Sequence, residues 1–266
     1  MSLRINTNTD ALSSYNRLNA NSAASSQSMQ RLSSGFRINS AADDTAGLSI
    51  SERMRGQIRG LAQATSNIGD GQSLVQTAEG ALGSVHGMLQ RVRELAVQYS
   101  NGSLSTTDKT SIQSEVNQLA SEIERIGSTT KFNGVSLLSA AGTVTFQVGA
   151  NDGESISVAT ISLGSAVGTS FAALGATTDL AEIDAAINAV SAQRGVLGAT
   201  SNRLQYAADA TNSYHENLVA AESRIRDADM AKESVALSKN QVLVQAGTAM
   251  LAQANQSGQN VLSLLR

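Results

Sequence analysis

The chain has 266 residues and a formal net charge of -3; it is 41% hydrophobic but only 3% aromatic, with no tryptophan, proline or cysteine. That length is enough to bury a substantial core. The mild acidity argues against a general nucleic-acid binder, which would present a basic face. The absence of cysteine rules out a disulfide framework, a thiolate metal site and a cysteine nucleophile. Without proline the commonest helix breaker is missing throughout, and a core of Leu, Ile, Val and Ala suits helices packed on helices. No apolar run approaches a membrane span. The segment Met1–Asp10 lacks the apolar stretch of a secretory signal, so the expectation is a cytosolic chain or one exported without a cleaved signal.

In residues 4–36, Tyr15, Leu18, Ser22, Ser25, Met29, Leu32 and Phe36 recur at spacings of three and four. That is a helical seam weakened by two serines, and alone it would be marginal in water. Ser33-Ser34-Gly35 to Asp43-Asp44 reads as a break, with Gly35 suited to a C-cap and Asp43 or Asp44 to the next N-cap.

The stretch from Thr45 to Tyr99 carries a seven-residue repeat: Met54, Leu61, Ile68, Val75, Leu82, Leu89 and Ala96. A companion set, Ile50, Gln57, Ala64, Gly71, Ala78, Val85, Val92 and Tyr99, is mostly apolar or small. This pattern is that of a helix supercoiling against partners. One uninterrupted helix would be roughly 80 Å long; the alternative is two helices broken near Gly69-Asp70-Gly71, through which the seam keeps its phase. Asn101-Gly102-Ser103 ends the run. A third helix is expected over Ser105–Ile126, with Ile112, Val116, Leu119, Ile123 and Ile126 on one face.

From Lys131 the period changes. Phe132-Asn133-Gly134-Val135 reads as a turn; Thr143–Val148 and Ser155–Ala159 alternate in twos about Asn151-Asp152-Gly153, the pattern of a β-hairpin. Residues 160–178, rich in Gly, Ser, Thr and Ala, read as loop. From Asp179 the heptads return at Ile183, Val190, Leu197, Leu204, Thr211, Leu218 and Ile225. Arg224–Asp229 is a polar break, and the last segment is amphipathic, with Val235, Leu243, Ala246, Met250, Val261, Leu262, Leu264 and Leu265.

The order is roughly palindromic, so the fold expected is mainly α. A long coiled-coil-like rod carries a small β-hairpin around residues 131–160, and the N- and C-terminal helices pair. The terminal helices are too weakly seamed to stand alone and are expected to order on assembly. Two domains are expected: residues 1–42 with 228–266, and residues 43–227.

Catalytic signals are missing. His86 and His215 lie in helical stretches without HExxH-type spacing, and no GxSxG, Walker A or GxGxxG fingerprint occurs. Gly56 and Gly60, or Gly83 and Gly87, fit close helix approach better than a membrane dimer motif. Asn151-Asp152-Gly153-Glu154 is a turn without the ligand spacing of a calcium loop. The charged run Gln90-Arg91-Val92-Arg93-Glu94-Leu95 puts Arg91 in phase with Ser84, Thr77 and Asp70 on the polar face, where a solvated surface is the simplest reading. No enzyme, cofactor or metal is expected.

Longer motifs carry a resemblance. Leu32–Gly47 (LSSGFRINSAADDTAG), Gln76–Leu82, Leu89–Gln98, Ala220–Ala231 (AAESRIRDADMA) and Gln259–Arg266 resemble the terminal signatures of bacterial flagellins. Phe132-Asn133-Gly134 and Val148–Asn151 are similar to the family's middle region. The resemblance covers about residues 1–160 and 180–266, leaving only about twenty residues where relatives carry variable outer domains, so it implies a minimal form.

What the resemblance implies is a structural subunit of the flagellar filament, extracellular and serving motility, exported unfolded through the flagellar type III apparatus and polymerised into a homopolymer. Its partners would be the flagellar cap, the hook-filament junction and an export chaperone. Leu12, Tyr15, Leu18, Met29, Leu32, Leu243, Met250, Leu262, Leu264 and Leu265 would be the self-assembly residues of the terminal helices, forming an inner tube. Met54, Leu61, Ile68, Val75, Leu82 and Leu89, with Ile183, Val190, Leu197, Leu204, Leu218 and Ile225, would be the rod core. Gln90, Arg91, Leu95 and Glu115 would meet neighbouring subunits and, on the free monomer, host Toll-like receptors; the C-terminal leucines match the segment read by cytosolic innate sensors. Gln256–Gln259 departs from relatives with proline there. A hook-filament junction protein and a helical enzyme with a β insert are the competing classes.

Overall fold

The computed structural model describes residues 8–167 and 179–264. Six helices and four short strands run in the order α1 (Thr9–Ser34), α2 (Thr45–Tyr99), α3 (Thr106–Thr129), β1 (Lys131–Phe132), β2 (Val135–Ser136), β3 (Gly142–Gln147), β4 (Ser155–Thr160), α4 (Leu163–Val167), α5 (Asp179–Arg226) and α6 (Met230–Leu264). The fold is mainly α with small antiparallel sheets, and the terminal helices pair, as the heptads and the palindromic order predict. The chain divides into two compact units: residues 1–56 with 218–266, and residues 57–217. The division falls inside α2 and α5, not at the polar breaks before Thr45 and after Arg226.

In unit 2 the seam of α2 faces α5. Leu61, Ala64, Ile68, Val75, Ala78, Leu82, Val85, Leu89, Val92 and Ala96 are all buried, as are Ile183, Val190, Leu197 and Leu204. Polar rungs flank the seam and set its register. Thr65 donates to Asn212 at 3.3 Å and Gln72 to Gln205 at 3.2 Å. Arg194 donates to Glu79 at 2.9 and 2.7 Å, and Arg93 to Asp184 at 2.6 Å. Rising numbers on α2 meet falling numbers on α5, so the helices are antiparallel. The helix is continuous through Gly69-Asp70-Gly71: Gly71 is buried, and its neighbours Ile68 and Leu74 hold the segment in the core, which outweighs the propensity cost of about 1 kcal/mol per glycine.

The helix α3 begins with a capping box, Ser105 and Asp108 each bonding the other's backbone N–H. It buries Ile112, Val116, Ala120, Ile123 and Gly127. The Asn133-Gly134 turn between β1 and β2 has positive φ at both residues, 46° and 82°, the geometry this dipeptide favours in a two-residue hairpin. Strands β3 and β4 pair in the register Val144↔Val158 and Phe146↔Ile156. The tip of this hairpin is held from both long helices: Asn67 donates to the Gln147 carbonyl and Thr211 to the Val148 carbonyl, each at 3.1 Å. The reading of residues 160–178 as loop needs one correction. Leu163–Val167 is a short helix, anchored by buried Leu163 and by its N–H bonding the Leu138 carbonyl at 2.8 Å. Residues 168–178 lie outside the described residues.

Unit 1 holds α1, the first turns of α2, the last turns of α5, and α6. Asn8 caps α1 through its side chain. At the other end Gly35 closes α1 in the left-handed region, φ 74°, with its N–H on the Arg31 carbonyl, a conformation that costs other residues more than glycine. Asp44 is the N-cap of α2, its carboxylate accepting the Gly47 N–H at 2.9 Å. Asp43 instead folds the preceding loop: it accepts from the Ser40 and Asn39 N–H groups and from Gln27. Those bonds, the Ser40 N–H first, hold its carboxyl below the usual aspartate value.

Candidate functional site

The terminal helices α1 and α6 run antiparallel. Asn8 donates to the Ala254 carbonyl at 2.9 Å, and Arg31 pairs with Glu233 at 3.9 Å. Between these points Gly247 sits against Leu18, where an added Cβ would lie 3.3 Å from the Leu18 Cδ1, so a small residue sets the helix separation there. Along the pair Leu18 and Leu32 of α1 and Val244 and Leu251 of α6 are half-buried, and Ser28 is buried.

Much apolar surface is left over. Leu12 is 56% exposed, Tyr15 51%, Met29 50%, Leu243 39% and Met250 62%. Val235 at 69% and Val242 at 64% belong to the same group, though only the first was legible from spacing. Exposed apolar residues gathered on one helix pair make that pair a candidate contact site. The side chains of Leu262 and Leu264, and all of Leu265, lie outside the described residues.

The ends of α1 and α5 meet in a crossing that spacing alone did not single out. Phe36 and Asp227 form an isolated antiparallel bridge. The Arg37 N–H donates to the Arg226 carbonyl at 2.6 Å and the Ala228 N–H to the Gly35 carbonyl at 2.8 Å. The Arg37 guanidinium donates to the Ile225 carbonyl at 2.6 Å. Arg226 is the centre of this crossing. Its side chain is 11% exposed, its guanidinium lies 4.7 Å from the Phe36 ring centroid, and it donates to Glu52 at 2.7 Å. The bond from Arg226 holds the Glu52 carboxyl below its ordinary value. The polar break Arg224–Asp229 therefore contains a structural cation; the signal available in the sequence was that Phe36 and Arg226 stand in the two matching breaks.

Of the residues expected in the rod core, Leu61, Ile68, Val75, Leu82, Leu89, Ile183, Val190, Leu197, Leu204 and Leu218 are buried, while Met54 and Ile225 are half-buried. The last two sit at the end of the seam, in unit 1, where fewer elements cover them. The residues expected at the receptor and subunit interface divide. Arg91 is exposed, bonded to Glu94 and Glu115, each at 3.0 Å; these carboxylates, Glu94 first, raise its already high pKa. Gln90 is exposed and bonded to His86 at 3.0 Å. Leu95 does not join this surface. It is only 2% exposed and belongs to the apolar core of unit 2, so the buried stripe of α2 is wider here than two positions per heptad. Among the described residues no group of three or more His, Asp or Glu could hold a metal, and no helix is long and apolar enough to cross a membrane.

Long antiparallel helices with a hairpin clamped on them, and terminal helices with uncovered apolar faces, define a self-associating structural protein. Residues 5–143 match the bacterial flagellin N-terminal helical region and residues 180–265 the bacterial flagellin C-terminal helical region. The chain is 48% identical to the flagellin of Bacillus subtilis (strain 168) over 304 residues, covering 99% of this chain and 100% of that protein. It is 49% identical to the flagellin of Halalkalibacterium halodurans over 270 residues, covering 98% and 99%. The crystal structure of Bacillus cereus flagellin superposes with a TM-score of 0.51 at 32% identity, over 59% of this chain and 94% of that one. The chain belongs to the bacterial flagellin family. It is a structural subunit of the flagellar filament, an extracellular assembly, and not an enzyme.

Proposed function

We propose that unit 1 supplies the contacts that build the filament's inner tube and that unit 2 forms the layer around it. The domains then correspond broadly to residues 1–42 with 228–266, and 43–227. The observation that carries this reading is the uncovered apolar surface of the α1–α6 pair: Leu12, Tyr15, Met29, Leu243 and Met250 face solvent in the single subunit. Burying them between copies yields about 25 cal/mol for each Å² removed from water, repeated at every subunit of a polymer.

Deleting residues 231–266 tests it. Filaments should be absent by electron microscopy while unit 2 keeps its helical circular dichroism. Normal polymerisation of the truncated chain would refute the reading. A hook-filament junction role is tested by the intact chain, which should form long filaments on its own.

Delivery follows from the same reading: the chain leaves unfolded through the flagellar type III apparatus, without a cleaved signal, held by an export chaperone and assembled beyond the hook-filament junction under the cap. Family membership supports this route.

On the free subunit, Arg91, Glu115 and Gln90 form the surface read by a Toll-like receptor, and the C-terminal leucines the segment read by cytosolic sensors. Support for the first comes from Arg91 and Glu115 being exposed and bonded to one another. Arg91→Ala should lower receptor activation by monomer roughly tenfold, the loss of one charge-assisted contact, with unchanged thermal unfolding. Unchanged signalling would remove Arg91 from the recognition surface. Leu95→Ala is unsuitable as a partner substitution, because it opens a cavity in the core.

A further inference from the structure

Among the described residues three methionines stand out into solvent: Met29 at 50%, Met230 at 50% and Met250 at 62% exposure. All three lie in unit 1, on α1 and α6. Met54 and Met88 are half-buried, and Met88 packs against the core of unit 2. The contacts of Leu18 with Gly247 and of Arg31 with Glu233 set Met250 level with Tyr15 and Met29 level with Val235 along the pair. Those neighbours are themselves 51% and 69% exposed. Each of these two thioethers therefore shares its level of the helix pair with an uncovered apolar residue.

We infer that Met29, Met230 and Met250 are oxidation sites through which peroxide blocks assembly of the free subunit. This rests on the reading of α1 and α6 as assembly faces. The thioether sulfur attacks one oxygen of hydrogen peroxide. An S–O bond forms and the O–O bond breaks, the departing hydroxide takes up the hydroxyl proton as water, and methionine becomes its sulfoxide. In the free subunit the new oxygen is hydrated and the fold is undisturbed. Between copies it becomes a strong acceptor in apolar surroundings, where an unpaired polar group is costly. Once assembled, the same residues are covered and protected, so the switch acts on subunits and spares the finished polymer.

The test treats free subunit and preformed filament with hydrogen peroxide, maps sulfoxides by peptide mass spectrometry, and measures polymerisation after the oxidant is removed. In the free subunit Met29, Met230 and Met250 should oxidise at least about fivefold faster than Met54 and Met88, following exposure. The concentration needed for assembly should then rise by roughly tenfold. Methionine sulfoxide reductases should restore assembly. The volume-conserving variant M29L/M230L/M250L should polymerise equally well before and after peroxide, and M250L alone should recover part of the loss. Oxidised subunits that assemble at an unchanged concentration, or a triple variant as sensitive as the parent, would overturn the inference and leave the assembly role of α1 and α6 standing. Equally fast oxidation in filament and subunit would overturn both.

Discussion

Replacing Leu82 by alanine should destabilise unit 2 by about 3 kcal/mol, one of the largest effects of any single truncation in this chain. Leu82 is fully buried, at 0% exposure, on the seam of α2. It shares one apolar cluster with Val85 and Leu89 of its own helix, Val190 and Leu197 of α5, and Val116 of α3. Loss of its outer carbons forfeits transfer free energy and leaves a void that two long helices cannot close locally. Collapse at one rung would strain the polar pairs on either side, among them Glu79–Arg194. The urea midpoint of the monomer, followed by circular dichroism, reports the change. Val97→Ala is the internal control: Val97 is 54% exposed, and its truncation should cost no more than about 0.5 kcal/mol. A Leu82→Ala midpoint equal to that of the control would show that the seam does not carry the stability of unit 2.

The second large effect is expected at Arg226. Arg226→Ala removes the stacking on Phe36, worth about 1–2 kcal/mol for a largely desolvated guanidinium, and the packing of its own stem. It also frees Glu52 to return toward its ordinary titration. Sign matters here. A carboxyl whose folded pKa is depressed contributes stability that is present above its unfolded value and is lost as pH falls through the folded one; in the variant that contribution is missing at neutral pH as well. The urea transition of unit 2 should stay where it is, while the crossing of Phe36 and Asp227 loosens and the assembly concentration rises. Arg226→Lys keeps the charge but not the planar stack, and should recover assembly only in part. Hydrogen exchange at the Arg37 and Ala228 amides follows the crossing directly. Parental protection at both amides in Arg226→Ala would show that the backbone bridge holds without the side chain.

These two residues also mark how far the chain could be read in advance. Leu82 was legible because burial in a long helix pair repeats every seven residues; the same periodicity located α2, α5 and most of their cores. Caps and turns with local chemistry, such as Gly35, Asp44 and Asn133-Gly134, were legible for the same reason, since their physics is contained in a few adjacent residues. Arg226 was not, because its partners Phe36 and Glu52 lie in other elements and no period connects them. Motif likeness puts Leu95 on the surface, yet it is buried; it adds to the core a position that a two-position seam does not include. The short helix Leu163–Val167 has no periodic signal and exists through Leu163 filling space against the rest of unit 2. The exposed apolar residues of α1 and α6 appeared in sequence as a weak amphipathic pattern, and only the pairing of the two helices separated those spent within the subunit from those left over.

The bond from Asn8 to the Ala254 carbonyl joins positions 246 apart in the chain. Closing a free loop of that length costs on the order of 5 kcal/mol in chain entropy before any contact rewards it, and two weakly seamed helices recover little of it on their own. The seam of α2 and α5 shortens the search, because once Glu52 and Arg226 are side by side the remaining ends are tethered as neighbours. The topology thereby sets an expected folding order, with high-contact-order pairing of α1 with α6 following that of the long helices. A subunit whose long helices have not yet paired has no assembled α1–α6 face to present, so association between copies is expected to wait on that pairing.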